Sequence, residues 1–353
     1  LLTQWCWEAG VPTDVLQFVP AGDDDAGRRL VTHPDVSAVI LTGSAETADL
    51  FHGWRPQLRL HAETSGKNAL VISASADQDE AVADLVASAF GHAGQKCSAA
   101  SLAIVEAPLY DDAAFLERIR DAAATLRVGA SLELATDVGP LIEAPGDRLD
   151  RALTTLDPGE EWLLRPECRS DDRRLWSPGV RVGVKPDSWF HRTECFGPVL
   201  GIVRADDLDH AIEIQNGTAF GLTAGLHALD PLEIDRWIDR AEAGNLYVNR
   251  GITGAIVQRQ PFGGWKRSVV GPTAKAGGPN YVATLCRWTD DDRVPLDRIA
   301  AGFERWWTDV GSVGHDPTGL SVERNEFRYR PLPGGVFVRF GDRATDRHLS
   351  LIH

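Results

Sequence analysis

The strongest constraint on the fold is an alternation of short apolar runs with helix-patterned segments through the first 126 residues. Apolar runs of strand length occupy residues 15–20, 37–42, 58–63, 71–73 and 102–105. Helical patterns occupy residues 45–54, 79–90 and 111–126. Strands that alternate with helices predict a parallel α/β sheet. Ligands bind such sheets beyond the carboxyl ends of their strands.

The alternation resumes after residues 130–190, which are rich in proline, glycine and charge. Strands are predicted at 180–184, 199–203 and 244–249, and the apolar segment 222–227 continues the same rhythm. Helices are predicted at 207–216 and 231–243. A glycine-rich run then covers 251–278, and tryptophan and arginine become frequent after Tyr281. This change of composition predicts a separate C-terminal segment.

Composition excludes several classes of function. The net charge of −15 disfavours nucleic acid and anionic membrane surfaces as partners. No apolar run approaches the roughly eighteen residues of a membrane span. The five cysteines are scattered without a CxxC pair, so neither a metal site nor a disulfide framework is predicted, and a reducing cytoplasm is the expected compartment. No residue is methionine, including position 1, so we expect a piece of a longer protein.

Cys97 and Glu63 are the first candidates for chemistry. Cys97 follows a predicted helix that Gly91 and Gly94 interrupt, and its neighbours Gln95, Lys96 and Ser98 are polar. Glu63 ends a predicted strand, ahead of Gly66 and Lys67. A thiol and a carboxylate that activates water are the two groups needed to oxidise an aldehyde through a thioester. Each residue also has an ordinary structural interpretation: Cys97 as a buried core cysteine, and Glu63 as a solvated carboxylate at a strand end. Lys96 is expected either to lower the pKa of the Cys97 thiol or to point its side chain to solvent.

Three further motifs are weak when taken singly. Residues 42–44 (TGS) form a strand-to-helix turn that could offer backbone N–H groups to a phosphate or ribose. Residues 193–198 (TECFGP) place a carboxylate near an aromatic ring before a Gly-Pro turn, and residues 261–264 (PFGG) are a turn motif. Each of the three is equally typical of an ordinary loop.

Taken in order, the five motifs resemble the aldehyde dehydrogenase superfamily over about residues 8–285. Longer strings resemble, more narrowly, the L-glutamate γ-semialdehyde (Δ1-pyrroline-5-carboxylate) dehydrogenase module of proline utilization A. These strings are 62–68 (AETSGKN), 93–99 (AGQKCSA), 253–257 (TGAIV) and 275–281 (KAGGPNY). The run 268–274 (SVVGPTA) departs from the family pattern by its extra length, so the resemblance does not predict the path of that loop.

The resemblance implies a role for each matching residue. Cys97 would attack the aldehyde carbon, NAD would accept the hydride, and Glu63 would activate the water that hydrolyses the thioester, with the N–H of Cys97 near the oxyanion. The implied cofactor residues are Gly43, Ser44, Glu194 and Phe196. The implied residues for a glutamate semialdehyde substrate are Ser98, Gly254, Ala255 and Phe262.

The resemblance also implies an organisation into parts. The expected fold is an α/β aldehyde dehydrogenase fold with a partial Rossmann-type cofactor domain, an α/β catalytic domain with a parallel sheet, and a C-terminal extension. The expected parts are residues 1–68 (cofactor domain), 69–262 (catalytic domain), 263–285 (substrate-anchor segment) and 286–353 (start of an assembly domain). The family's upstream part would precede Leu1. That part supplies the asparagine of the oxyanion hole and the residues that bind the adenosine ribose.

Partners and alternatives follow from the same resemblance. A homo-oligomer is expected, with a proline dehydrogenase module as a further candidate in the same polypeptide. One alternative is a non-catalytic piece that serves assembly only. Another is the same chemistry on a different substrate, such as succinic semialdehyde.

Overall fold

A computed structural model describes residues 1–22, 25–257, 259–272, 274–289 and 293–331. The strands are β1 (Val39–Thr42), β2 (Leu60–Glu63), β3 (Asn68–Ile72), β4 (Ala100–Glu106), β5 (Glu161–Leu164), β6 (Gly179–Val182), β7 (Val199–Ala205), β8 (Phe220–Gly221), β9 (Thr223–His227), β10 (Asn245–Val248), β11 (Trp265–Lys266) and β12 (Val269–Val270). The helices are α1 (Leu2–Glu8), α2 (Asp25–Thr32), α3 (Ala45–Trp54), α4 (Gln78–Phe90), α5 (Ala107–Tyr110), α6 (Ala113–Ala124), α7 (Asp147–Thr154), α8 (Trp189–Arg192), α9 (Leu208–Asn216), α10 (Pro231–Arg240) and α11 (Leu296–Trp306).

The main sheet has seven strands in the order β10-β9-β3-β4-β7-β6-β5. Every neighbouring pair is parallel except β5 with β6 at the edge. The central strand β3 is buried along its whole length, as expected for a strand covered on both faces. The predicted parallel α/β sheet is therefore confirmed.

A smaller sheet carries the predicted general base. Strands β1 and β2 are parallel, and β12 joins β2 in the antiparallel sense. The run 268–274, whose path the family pattern leaves open, thus supplies this third strand, although Thr273 lies outside the described residues. Gly271 has a φ of +100° and an added Cβ would lie 2.1 Å from the backbone oxygen of Leu60, so glycine is needed where β12 leaves β2.

The helices follow from caps and apolar stripes. Asp77 accepts hydrogen bonds from the first backbone N–H groups of α4, and Asp207 and Asp230 cap α9 and α10 in the same way. Buried residues of α4 recur with helical spacing, including Ala81, Leu85 and Ala89. The main core therefore lies between these helices and the seven-stranded sheet.

The strand predicted at 15–20 is wrong. The backbone there makes local turn hydrogen bonds back to Pro12, and the side chains of Val15, Phe18 and Val19 are exposed. A strand needs a neighbour for its ladder, and none of the described residues pairs with this run. The helix α1 was missed because residues 2–8 show no buried stripe.

The expected C-terminal segment is described as far as residue 331, and the remainder of the predicted part 286–353 lies outside the described residues. Beyond helix α11, Phe327 forms an isolated antiparallel β-bridge with His315. Among the residues that the structure describes, no helix is long and apolar enough to cross a membrane.

Candidate active site

Cys97 lies in a turn between α4 and β4. The chain leaves α4 through His92 and Ala93, which have left-handed φ values of 56° and 54°, and Gly94, whose φ is +67°. A Cβ added to Gly94 would lie 2.2 Å from the backbone oxygen of Gly197. Only glycine allows this approach, so the turn that carries Cys97 packs directly on the 194–197 loop.

Asn68, the first residue of β3, holds the backbone of the same turn. Its Nδ2 donates to the carbonyl oxygens of Cys97 at 2.7 Å and of Ala99 at 2.9 Å, while its Oδ1 accepts from the N–H of Thr223 at 3.1 Å. The sequence prediction assigned no role to Asn68, although it closes the 62–68 string. Its amide fixes the turn to the centre of the main sheet.

The thiol of Cys97 is partly buried, and burial raises its pKa above the ordinary value. The backbone N–H groups of Ser98 and Cys97 oppose this rise, whereas the carboxylates of Glu194 and Glu63 add to it. The net change is upward, and an effect of Lys96 on this pKa stays a prediction. A thiol, two carboxylates and two backbone N–H groups therefore act on one another here.

Glu63 is the last residue of β2 and pairs with Thr42 of β1 on one side and Val269 of β12 on the other. Its Oε2 accepts a hydrogen bond from the N–H of Gly264 at 2.8 Å. Burial raises the pKa of Glu63 to about 7, against smaller lowering effects of that hydrogen bond and of Lys275. A carboxyl group with a pKa near neutrality suits a general base.

Glu194 and Phe196 face the nucleophile from the opposite loop. Glu194 is largely buried, and its Oε1 accepts from the N–H of Gly66 at 2.8 Å. An added Cβ on Gly66 would lie 2.9 Å from the backbone oxygen of Cys97, so this glycine serves close packing. Phe196 has a left-handed φ of 55° and its side chain is 40% exposed. Cys97, Glu194 and Phe196 line one pocket.

Comparison with known proteins identifies the family of this chain. A model of the aldehyde dehydrogenase family matches residues 1–289.

The chain belongs to the aldehyde dehydrogenase family.

The names of its relatives specify one kind of dehydrogenase within the family. A 1-pyrroline-5-carboxylate dehydrogenase from Geobacillus kaustophilus is 38% identical over 286 residues, which cover 78% of this chain and 54% of the relative. The chain thus spans about half the length of the curated relatives it matches. The structure of proline utilization A from Corynebacterium freiburgense has a TM-score of 0.89 at 54% identity, covering 92% of this chain and 35% of that one. A 1-pyrroline-5-carboxylate dehydrogenase from Thermus with bound NAD has a TM-score of 0.72 at 34% identity, covering 78% and 55%.

In this aldehyde dehydrogenase chain, Gly43 and Ser44 follow β1 at the carboxyl edge of the small sheet. The N–H of Gly43 donates to the backbone oxygen of Glu63 at 3.2 Å. The Oγ of Ser44 caps α3 by accepting from the N–H of Thr47 at 3.1 Å. The turn therefore lies beside the end of β2, and its role toward a cofactor stays a prediction.

The four residues predicted to bind substrate fall in three places. Ser98 is buried next to Cys97, and its carbonyl accepts from the hydroxyl of Thr223 at 3.4 Å. Gly254 and Ala255 lie in an exposed loop, where Gly254 has a φ of +86° and open space around its Cα. Phe262 exchanges two backbone hydrogen bonds with Ala276. Their contact with substrate stays a prediction.

Lys67 is a buried residue. Its ammonium group donates to the hydroxyl of Ser101 at 2.6 Å and lies 4.0 Å from the ring centre of Phe190. Burial lowers its pKa to about 8. It forms no ion pair with any of the residues that the structure describes, so in this aldehyde dehydrogenase fold it lies as a buried cation beneath the 194–197 loop.

Proposed function

We propose that this chain supplies the nucleophile, the general base and part of the cofactor site of an NAD-dependent dehydrogenase. The proposed reaction oxidises L-glutamate γ-semialdehyde to L-glutamate in proline catabolism. One observation carries the proposal: Cys97, Glu194 and Phe196 line one pocket, and the carboxylates of Glu194 and Glu63 both raise the pKa of the Cys97 thiol. The printed names of the relatives support the substrate class.

Cys97 performs the first half of the reaction. As a thiolate, its Sγ forms a bond to the aldehyde carbon, and the electron pair of the carbonyl bond moves to the oxygen, which becomes an oxyanion. The N–H groups of Cys97 and Ser98 act on the thiol, which supports a role for them in stabilising that oxyanion. NAD, when bound, accepts the hydride that leaves the same carbon. The acyl group then remains on Cys97 as a thioester.

The chemistry of two pocket residues supports a site for the nicotinamide end of NAD. The Glu194 carboxylate is fixed by the N–H of Gly66 and can accept a hydrogen bond from a ribose hydroxyl. The Phe196 ring is partly exposed in the same pocket and offers an apolar face to a nicotinamide. We assign these two residues to the cofactor, and Gly43 and Ser44 to its neighbouring turn.

Glu63 performs the second half. As a carboxylate it removes a proton from a water molecule, whose oxygen bonds to the acyl carbon. The carbon–sulfur bond breaks, its electron pair returns to Sγ of Cys97, and glutamate leaves. A pKa of about 7 leaves Glu63 ionised in slightly alkaline solution yet basic enough for this transfer.

We further propose that Ser98, Gly254, Ala255 and Phe262 recognise the substrate. Gly254 and Ala255 present an exposed backbone whose N–H groups suit a carboxylate, because small side chains permit close approach. Ser98 would add its hydroxyl, and Phe262 would contact the aliphatic carbons. The domain limits at residues 68, 262 and 285 belong to the same proposal.

The assembly of the protein is proposed on the same relatives. Chains named proline utilization A resemble this one, which covers 35% of the Corynebacterium freiburgense chain. We therefore propose a proline dehydrogenase module in the same polypeptide and a homo-oligomeric enzyme. Translation of the complete open reading frame, followed by light scattering, tests both points.

The function is tested with the protein encoded by the complete open reading frame. We expect NADH to form from glutamate semialdehyde, and Cys97→Ala to abolish it. Cys168→Ala changes an exposed cysteine and should keep the wild-type rate. A Cys97→Ala variant that retains the rate would refute the nucleophile.

Substrate choice needs a separate comparison. With succinic semialdehyde we expect kcat/KM to fall by at least about tenfold, because the contacts to the α-amino acid group are lost. Equal values would move the proposal to another semialdehyde. A protein that forms no NADH and binds no NAD by calorimetry would support an assembly role instead.

A further inference from the structure

Lys275 has no part in the reaction as described so far, yet it lies behind the general base. Its ammonium group donates to the carbonyl oxygens of Gly263 at 2.5 Å and Gly244 at 2.6 Å, and to the Oδ1 of Asn245 at 3.3 Å. Asn245 begins β10 at the edge of the main sheet, and Gly244 directly precedes that strand. Gly263 belongs to the loop between β10 and β11. The lysine therefore fastens that loop to the main sheet.

The fastened loop is the one that holds Glu63. The N–H of Gly264, one residue beyond the carbonyl that Lys275 binds, donates to Oε2 of Glu63 at 2.8 Å. A Cβ added to Gly263 would lie 3.0 Å from Oε1 of Glu63 and 3.1 Å from Cγ of Lys275. Gly263 thus separates the carboxylate from the lysine side chain by a single backbone layer.

The next residue along the chain binds the other side of this loop. Ala276 exchanges two backbone hydrogen bonds with Phe262, at 2.9 and 2.8 Å. Asn245 supports the arrangement, since its Oδ1 accepts from the N–H of Gly263 at 3.2 Å and its Nδ2 donates to the carbonyl of Pro261 at 3.0 Å. Residues 261–264 are therefore held from both sides, with Lys275 as the cationic contact.

Charge adds to this geometry. Among the described residues, the titratable groups that act on Glu63 are Lys275, which lowers its pKa, and Cys97, whose thiol is coupled to it. Burial lowers the pKa of Lys275 to about 8, and Glu63 acts against that change. The lysine is thus a cation at neutral pH that favours the ionised form of Glu63.

We propose that Lys275 is a positioning residue for the hydrolytic half-reaction: it fixes the 263–264 backbone and thereby holds the Glu63 carboxylate ionised and aimed at the acyl carbon. This inference rests on the proposed function and adds a residue to it. The redox half, which depends on Cys97, does not need Lys275. Loss of the lysine should therefore slow hydrolysis of the thioester more than its formation.

The test uses Lys275→Met in the complete protein, with Lys185→Met, which alters an exposed lysine, as the matched control. In rapid mixing with NAD and glutamate semialdehyde, we expect a burst of about one NADH per Cys97. The steady rate that follows should fall roughly 10- to 100-fold, as for a misplaced catalytic group. The acid limb of the steady-state pH profile should move to higher pH, because the pKa of Glu63 rises when the cation is removed.

Equal losses in burst and steady rate, or rates that match the Lys185→Met control, would overturn the inference. If Lys275→Met yields too little folded protein, Lys275→Gln keeps a hydrogen-bond donor without the charge. Its acid limb should still move, and an unmoved limb would overturn the inference as well. A wild-type protein that forms no NADH would instead refute the proposed function, so the two failures are distinguishable.

Discussion

Replacement of Glu63 by glutamine should stabilise the folded protein, and more so at alkaline pH. Glutamine keeps an oxygen that can accept the hydrogen bond of Gly264 but carries no charge. In the wild-type protein, burial raises the pKa of Glu63 from 4.5 to about 7. Ionised Glu63 is therefore costly in the folded state and not in the unfolded one.

The size of the effect follows from these two pKa values. Below pH 4.5 both states are protonated, and the carboxyl group contributes no pH dependence. As the pH rises from 4.5 to about 7, the folded state loses about 1.4 kcal/mol of stability for each pH unit, and the loss levels off above about pH 7. The cost is about 1.4 kcal/mol at pH 5.5 and about 3 kcal/mol at pH 8.5. The difference in free energy of unfolding between Glu63→Gln and the wild type should thus be about 2 kcal/mol larger at the higher of these two pH values, in favour of the variant.

Urea unfolding of both proteins at several pH values measures this difference, because effects common to both cancel. Glu161→Gln is the control, since Glu161 is an exposed residue at the start of β5. Its difference from the wild type should not change with pH. A difference for Glu63→Gln that stays constant, or that shrinks as the pH rises, would refute the account of a buried general base.

Two further predictions concern activity. The steady-state rate should fall on the acid side of about pH 7, as Glu63 becomes protonated; a flat profile from pH 6 to 9 would contradict this. Gly94→Ala should lower kcat and the melting temperature together, because the added Cβ would lie 2.2 Å from the backbone oxygen of Gly197. The control is Gly53→Ala in α3, where the added Cβ meets nothing within 4 Å and the free energy of unfolding should rise by about 0.5–1 kcal/mol. Equal effects on stability in the two variants would argue against the close contact at Gly94.

The sequence predicted the central fold well because its signals are local. The helix at 79–90 has both a cap at Asp77 and a buried apolar stripe, and α4 matches it within one residue. The run 15–20 was misjudged because apolar content alone cannot supply a neighbouring strand, and the local turn hydrogen bonds to Pro12 prevailed.

The roles of the candidate site residues stay predictions, and the contacts among these residues could not be predicted from the sequence. The order of the motifs selected Cys97, Glu63, Glu194 and Phe196, and the structure brings Cys97, Glu194 and Phe196 into one pocket. The sequence could not show that Lys275 binds the loop beside Glu63, because Lys275 and Glu63 come from distant parts of the chain. Likewise, only the folded structure reveals that burial raises the pKa of Cys97.

The central claim is that Cys97 forms a thioester that Glu63 hydrolyses. Glu63→Gln in the complete protein should retain the first half of the reaction and lose the second. Incubation with NAD and glutamate semialdehyde, followed by mass spectrometry of the denatured protein, should therefore show the acyl group on the peptide that contains Cys97. An unmodified Cys97 peptide after one equivalent of NADH has formed, or an acyl group on another residue, would contradict the mechanism.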